Sequence, residues 1–400
     1  MMAKPIFRPE TGWLLAVTLL AMAGCATPVA TSDTNELPFE QAVAVATDGL
    51  VRQIQSMPGF LAKMEAKITR KGVVIDPVID AGSGQQTVVT KQLEQRVTDR
   101  LRSQYDQFEI MPFQPVNLGK AQYLLTGTMA RVERAGVSNA FDIRLALVDL
   151  KSGIVAAQSS ARARSQGLDT TPTPYYRDSP ILVKDKVVEG YVSTSGTPPG
   201  QPADPNYFGR ITTAALVNDA TAAYDGERYE EALNLYKNAA ASPSGEQLRV
   251  LNGIYLSNWK LGKTADAEQA FGAVVGFGIA NGNLGIKFLF NPGSTEFWSD
   301  PKVSGPYALW LRQIARQADT AKVCLNVVGH TSRTGSEQVN DRLSQQRAAY
   351  IKQRLDAEAP ELSTRTRAAG VGFRENIVGS GTDDMRDALD RRVEFKIGKC

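Results

Sequence analysis

The chain of 400 residues carries one histidine, three cysteines and four tryptophans, and its formal net charge at pH 7 is only +3. Each scarcity excludes something. The single imidazole, His330, rules out multi-histidine metal centres and leaves one place for any histidine-dependent dyad. A near-neutral balance over this length offers no basic footprint, so no nucleic-acid partner is expected. The chain has no glycine-rich phosphate loop ending in Gly-Lys-Ser/Thr and no Gly-x-Ser-x-Gly elbow. Its many carboxylates include no pair that stands out as acid and base. Neither an enzyme nor a cofactor is expected.

Long apolar runs are missing too, with one exception at the start. Lys4 and Arg8 precede an apolar stretch from Trp13 to Ala23, too short for a mature membrane span and suited to a signal-peptide core. It ends in Leu20-Ala21-Met22-Ala23-Gly24-Cys25, which resembles a bacterial lipobox with Met22 in place of the commoner leucine. The resemblance implies loss of residues 1–24 and acylation of Cys25, palmitate included. Several acyl chains on one residue hold a protein firmly, whereas a single chain is marginal. Ala26 resembles the outer-membrane sorting pattern, so the expected location is the outer membrane, lipid-anchored and facing the periplasm.

The chain is long enough for two to four domains. The expected class is α+β multidomain: a small α/β domain, a short helical region and a C-terminal βαβαββ domain. Residues 25–37, rich in Ala, Thr, Ser and Asp, read as a flexible tether. Residues 38–165 read as the α/β domain. Phe39, Ala42, Val43, Ala46, Leu50 and Ile54 give a first helix, and Val89, Leu93, Val97 and Leu101 a second. Strands are expected at Val73–Ile75, Phe108–Ile110, Tyr123–Gly127 and Phe141–Asp149, with a hairpin turn into Ile154. Antiparallel strands with helices to one side fit that pattern. Ala121–Gly127 and Ala146–Gly153 resemble envelope lipoproteins of the LpoB, FlgO and CsgG type, which implies an envelope protein partner.

Seven prolines among many Ser, Thr and Gly make residues 166–206 read as a linker or loop. Residues 207–282 read as helical. Ala223, Tyr224, Gly226, Tyr229, Ala232, Tyr236 and Ala239 fall in a spacing that resembles a tetratricopeptide repeat, and Ala267 and Phe271 echo it. Two repeats are few for a solenoid, so these aromatics are expected in a core rather than in a peptide groove.

Residues 283–400 organise the function. After an alternating strand at Val323, Leu325 and Val327, the chain reads Gly329-His330-Thr331-Ser332-Arg333-Thr334-Gly335 and enters a helix. Asn340, Leu343, Ser344, Arg347 and Ile351 share one side of that helix. Arg347 therefore sits in or beside the apolar stripe and needs a carboxylate or carbonyl partner. From physics alone an internal ion pair and a ligand site are about equally good readings.

The string Gly-His-Thr, Gly335, Asn340, Leu343, Ser344, Arg347 and Ala348, followed by Gly370-Val371-Gly372 and Arg391 to Phe395, resembles OmpA-like peptidoglycan-binding domains. The resemblance covers about the last 115 residues. It implies non-covalent binding of the peptidoglycan stem peptide at diaminopimelate, whose free end carries an ammonium and a carboxylate. By position Arg347 falls to the carboxylate, a fork suited to it. Thr331 and Asn340 fall to the pocket frame, and Leu343 and Ser344 to packing and positioning. The family has aspartate where this chain has Ser332, so the ammonium half lacks its anion. Weaker binding, a modified stem, or replacement by Glu337 or Asp341 are the outcomes this leaves, with retained but weakened binding expected. The alternative function is a periplasmic interaction scaffold for a cell-wall synthase, secretion or motility complex with weak or no wall binding. Cys324 and Cys400 remain as a possible disulfide in an oxidising compartment.

Overall fold

The computed structural model describes residues 32–57, 70–134, 137–377, 381, 386–398 and 400. The expected signal segment 1–24 and the acylation site Cys25 lie outside the described residues. The described chain opens with β1 (Ser32–Leu37) and α1 (Phe39–Gln55). There follow β2 (Lys71–Ile75), a two-residue β3 (Ile79–Asp80), α2 (Val88–Gln104), β4 (Phe108–Met111) and one-turn α3 (Pro115–Leu118). Three long strands complete the sheet: β5 (Tyr123–Arg134), β6 (Val137–Asp149) and β7 (Val155–Arg164).

The strand order is β1-β7-β6-β5-β2-β4, with β3 beside β5. β5, β6 and β7 run antiparallel, whereas β1, β2 and β4 join in parallel. Side chains alternate across the pleat, and each face has its own core. Leu125, Ile143, Leu145 and Leu147 meet α1 and α2 on one face. Leu124, Ala146, Val148 and Val155 point to the other. Asp48 on α1 ties the two helices of the first face together. It takes Arg100 Nε at 2.6 Å, Arg100 Nη2 at 2.7 Å and the Tyr105 hydroxyl at 2.7 Å.

Two sequence expectations change here. The stretch 25–37, read as tether, carries β1 instead over Ser32–Leu37, with Ser32 opposite Ser160 and Leu37 opposite Ala163. A polar sequence can do this because the ladder is made of backbone groups and β7 offers an edge. The stretch 166–206, read as a linker, forms α4 (Pro174–Asp178), α5 (Lys186–Ser195) and α6 (Pro205–Phe208). Pro174 and Pro205 open their helices, where a missing N–H costs nothing. Val187, Val188 and Tyr191 from this stretch, with Tyr207 just past it, cover the second face of the sheet. Helices therefore lie on both faces, not to one side. Proline counts measure turns, and these turns lead into packed helices.

Four helices follow: α7 (Ile211–Asp225), α8 (Tyr229–Ala240), α9 (Leu248–Lys260) and α10 (Thr264–Ala280), each against the next. Fully buried Ala232 and Ala267 allow close approach, and Gly253 lies so near the Tyr236 ring that no Cβ would fit. Tyr224, Tyr236 and Phe271 are core residues, and Tyr229 is half-buried against them.

The C-terminal unit comprises β8 (Asn283–Leu289), one-turn α11 (Pro301–Ser304), α12 (Tyr307–Ala321), β9 (Cys324–Gly329), α13 (Glu337–Glu358), β10 (Thr366–Gly370) and β11 (Arg392–Gly398). Apart from α11 the order is β-α-β-α-β-β. The sheet order is β10-β9-β11-β8, with β9 and β10 parallel and β11 antiparallel to both neighbours. One core runs from the helices into this sheet. Phe271 stacks on Trp310 at 5.5 Å, Trp310 meets Phe288, and the Trp310 indole N–H donates to the Tyr255 hydroxyl at 2.7 Å. Cys324 opens β9, Cys400 lies just past β11, and a disulfide joins them with Cα atoms 5.2 Å apart.

Candidate functional site

The site is built at the carboxyl ends of β9 and β10. Gly329 and Gly370 end those parallel strands, and a Cβ on either would strike α13 at Ser344 or Gln345. Glycine there lets the helix rest directly on the strand ends. The chain leaves β9 as His330 to Thr334, reverses at Gly335 with φ +90°, and enters α13 behind Ser336, whose hydroxyl accepts from the Val339 N–H.

Helical spacing then aims three polar side chains back at the turn. The Asn340 amide donates to the Thr334 carbonyl at 2.9 Å. The Ser344 hydroxyl accepts from the Gly372 N–H at 3.0 Å, which fastens the segment after β10. Arg347 is fully buried. Its Nε donates to the Ser294 carbonyl at 2.9 Å, Nη1 to His330 at 3.1 Å and Nη2 to Asn291 at 3.0 Å. The guanidinium carbon lies 5.2 Å from the centre of the Phe290 ring. Of the partners that sequence reasoning required, backbone carbonyls are the ones seen here. They join the loop after β8 to the end of β9.

Thr331 and Ser332 are buried as well. The Thr331 N–H donates to the Gly372 carbonyl at 2.9 Å, while its hydroxyl lies buried with no hydrogen-bond partner among the described residues. Ser332 Oγ lies 3.2 Å from Thr334 Oγ1. Leu343 is only half-buried and lies outside the core. Arg333 is exposed. The two acids nearest in sequence, Glu337 and Asp341, are both engaged by Arg374, whose Nη1 lies 3.2 Å and 2.8 Å from them. That counts against either one taking the place of the missing aspartate.

His330 is fully buried below the turn, with Nε2 3.2 Å from Glu394 Oε1. Burial pushes its pKa below the ordinary imidazole value. Burial opposes the charged form of Glu394, yet the His330 ring and the Arg392 guanidinium outweigh it and hold the carboxyl at about 2. Sequence reasoning passed over Asp387 and Asp390, which are fully buried beside Arg391 and Arg392 in the segment entering β11. Asp390 Oδ1 accepts from the Ile377 N–H at 2.6 Å. Arg391 lies 5.4 Å from the Trp298 ring centre. An acid pair three residues apart, followed by two arginines, was the available signal. Buried charges of both signs thus gather at one end of the sheet.

No protein-family model matches the chain. Among curated relatives, the probable lipoprotein YiaD of Escherichia coli is 37% identical over 76 residues, 19% of this chain and 34% of that protein. The peptidoglycan-binding protein ArfA of Mycobacterium tuberculosis is 28% identical over 168 residues, 40% of this chain and 45% of that protein. The chain thus spans less than half the length of these curated relatives. Among solved structures, the peptidoglycan-associated lipoprotein from Burkholderia pseudomallei is 19% identical with a TM-score of 0.25. The match covers 28% of this chain and 89% of that one. The cell wall anchor of the T6SS from Pseudomonas aeruginosa is 24% identical with a TM-score of 0.23, over 28% of this chain and 76% of that one.

Proposed function

We propose that this chain is a lipid-anchored outer-membrane protein whose C-terminal unit binds peptidoglycan non-covalently and links the envelope layers, without catalysis. The carrying observation is the convergence of Thr331, Ser332, Asn340 and Arg347 on one turn at the end of β9, held by α13. The similarity to a peptidoglycan-binding protein and to a probable lipoprotein supports the reading. Arg347 has two parts in it. It fixes the turn through three carbonyls, and its charge favours the carboxylate of a diaminopimelate stem approaching that turn. Ser332 receives the ammonium with a neutral oxygen. A charge-assisted bond to it is worth about 1.5–3 kcal/mol, less than a full ion pair in the same shelter.

The Cys25 anchor would place this unit beside the wall. The helices over 207–282 serve as tetratricopeptide-like packing, their aromatics being core. A protein partner, in the LpoB-like reading of the N-terminal sheet, would dock elsewhere on that sheet's unit.

The test is co-sedimentation of the purified chain with sacculi. Pelleting at low salt is expected, with Ser332→Asp pelleting at lower protein concentration than the parent. A chain that stays in the supernatant at low salt overturns wall binding. Equal pelleting of parent and Ser332→Asp overturns the assignment of Ser332 to the ammonium.

A further inference from the structure

Below the turn, three potential metal ligands meet. Ligand atoms of His330, Glu375 and Glu394 all lie within 4.8 Å of one another. The pair His330 Nε2 and Glu394 Oε1 is 3.2 Å apart, close to the edge of about 3.3 Å expected for a tetrahedron with bonds of about 2.0 Å. Glu394 is thus the ring's close electrostatic neighbour, but it lies out of line for a well-aligned hydrogen bond, and among the described residues Nδ1 of the fully buried His330 has no partner at all. A buried imidazole with no aligned partner is costly unless something else meets it.

We propose that His330, Glu394 and Glu375 form a site for a divalent transition-metal ion, with zinc as the natural probe. One imidazole and two carboxylates suit a borderline cation better than magnesium, which prefers oxygen alone. Among the described residues, two cations now face these acids. Arg392 Nε holds Glu394 Oε2 at 3.1 Å, and Lys396 Nζ lies 3.1 Å and 3.4 Å from the two Glu375 oxygens. Their parts differ. Arg392, almost fully buried, keeps Oε2 occupied and leaves Oε1 toward His330, as outer partners of metal ligands do. Lys396 is about half exposed, so an entering ion displaces it into water at little cost. Exposure rises along the three ligands, with side chains 0% exposed at His330, 17% at Glu394 and 46% at Glu375, which gives the ion a way in. Cys324 and Cys400 are bonded to each other and do not compete.

The experiment is equilibrium dialysis of the full chain against zinc, with magnesium as comparator. The variants are Glu375→Gln, His330→Gln and Lys396→Ala. One equivalent of zinc and no magnesium is expected in the parent. Glu375→Gln should weaken zinc binding about tenfold or more and leave the metal-free melting temperature unchanged, since Glu375 is exposed. Lys396→Ala should bind zinc severalfold more tightly, because its competitor is gone. His330→Gln should lose the ion if it folds, and the two surface variants decide the matter if it does not. No uptake by the parent, or equal uptake by the parent and Glu375→Gln, overturns the site. So does a Lys396→Ala variant that binds no more tightly than the parent.

Discussion

The two sheets differ in where their buried polar groups gather. In the N-terminal sheet they are spent between elements: Asp48 joins α1 to α2, and the Tyr207 hydroxyl donates to buried Asp76 at 2.5 Å, pinning α6 to the segment after β2. In the C-terminal sheet, buried Thr331, Ser332, His330, Arg347, Asp387 and Asp390 crowd one end. There the Thr331 hydroxyl and both His330 ring nitrogens have no aligned partner among the described residues and sit together at one turn, whereas the unpartnered Gln107, Thr126 and Thr173 side chains of the N-terminal unit lie apart in the sequence. Satisfied polar groups of the first kind specify a fold, whereas unsatisfied ones gathered at one turn keep hydrogen-bonding capacity for a partner from outside.

The comparison can be broken or sharpened by experiment. The largest effect is expected from Arg347→Ala, which strands the carbonyls of Ser294, His330 and Asn291. Loss of about 3 kcal/mol or more is expected in urea unfolding followed by tryptophan fluorescence. Arg347 is therefore a poor probe of binding alone, and a variant as stable as the parent would show that the turn holds its shape unaided.

Asp76 gives a pH signature to the other sheet. Burial raises its pKa to about 7 from an ordinary 3.8. The folded chain then holds a proton that the unfolded chain has released, so this contribution is complete below about pH 4 and lost as pH rises through about 7. Asp76→Asn should flatten the fall in stability over that window, measured as melting temperature against pH, without changing sacculus binding. A parent whose stability is flat across that range would refute it. The smallest effect is the gain from Ser332→Asp, about tenfold in affinity for sacculi, the value of one charge-assisted bond strengthened toward an ion pair.

Much of the C-terminal unit was legible beforehand. Alternation at Val323, Leu325 and Val327 and helical spacing through Asn340, Arg347 and Ile351 follow from burial on one face, a local rule. The N-terminal strands were legible for the same reason. Residues 166–206 were not, because prolines report where the chain turns and not what the turns pack against. Val187 and Tyr191 found their role only once the second face of the sheet existed. β1 was hidden for a related reason: its bonds are backbone bonds, which no side-chain pattern announces. Asp387 and Asp390 carried no reading from the sequence, because their burial exists only in the folded segment entering β11.

What this sequence determines by itself is the set of periodic elements, the Gly-His-Thr turn before an arginine-bearing helix, and the departure at Ser332. These depend on neighbours a few residues apart. What the tertiary structure alone decides is that Arg347 holds three carbonyls and that His330 meets Glu394 and Glu375. It also decides that Arg374 takes Glu337 and Asp341. Such partnerships join residues tens of positions apart, and only the meeting of strand ends, helix and loop brings their charges within reach.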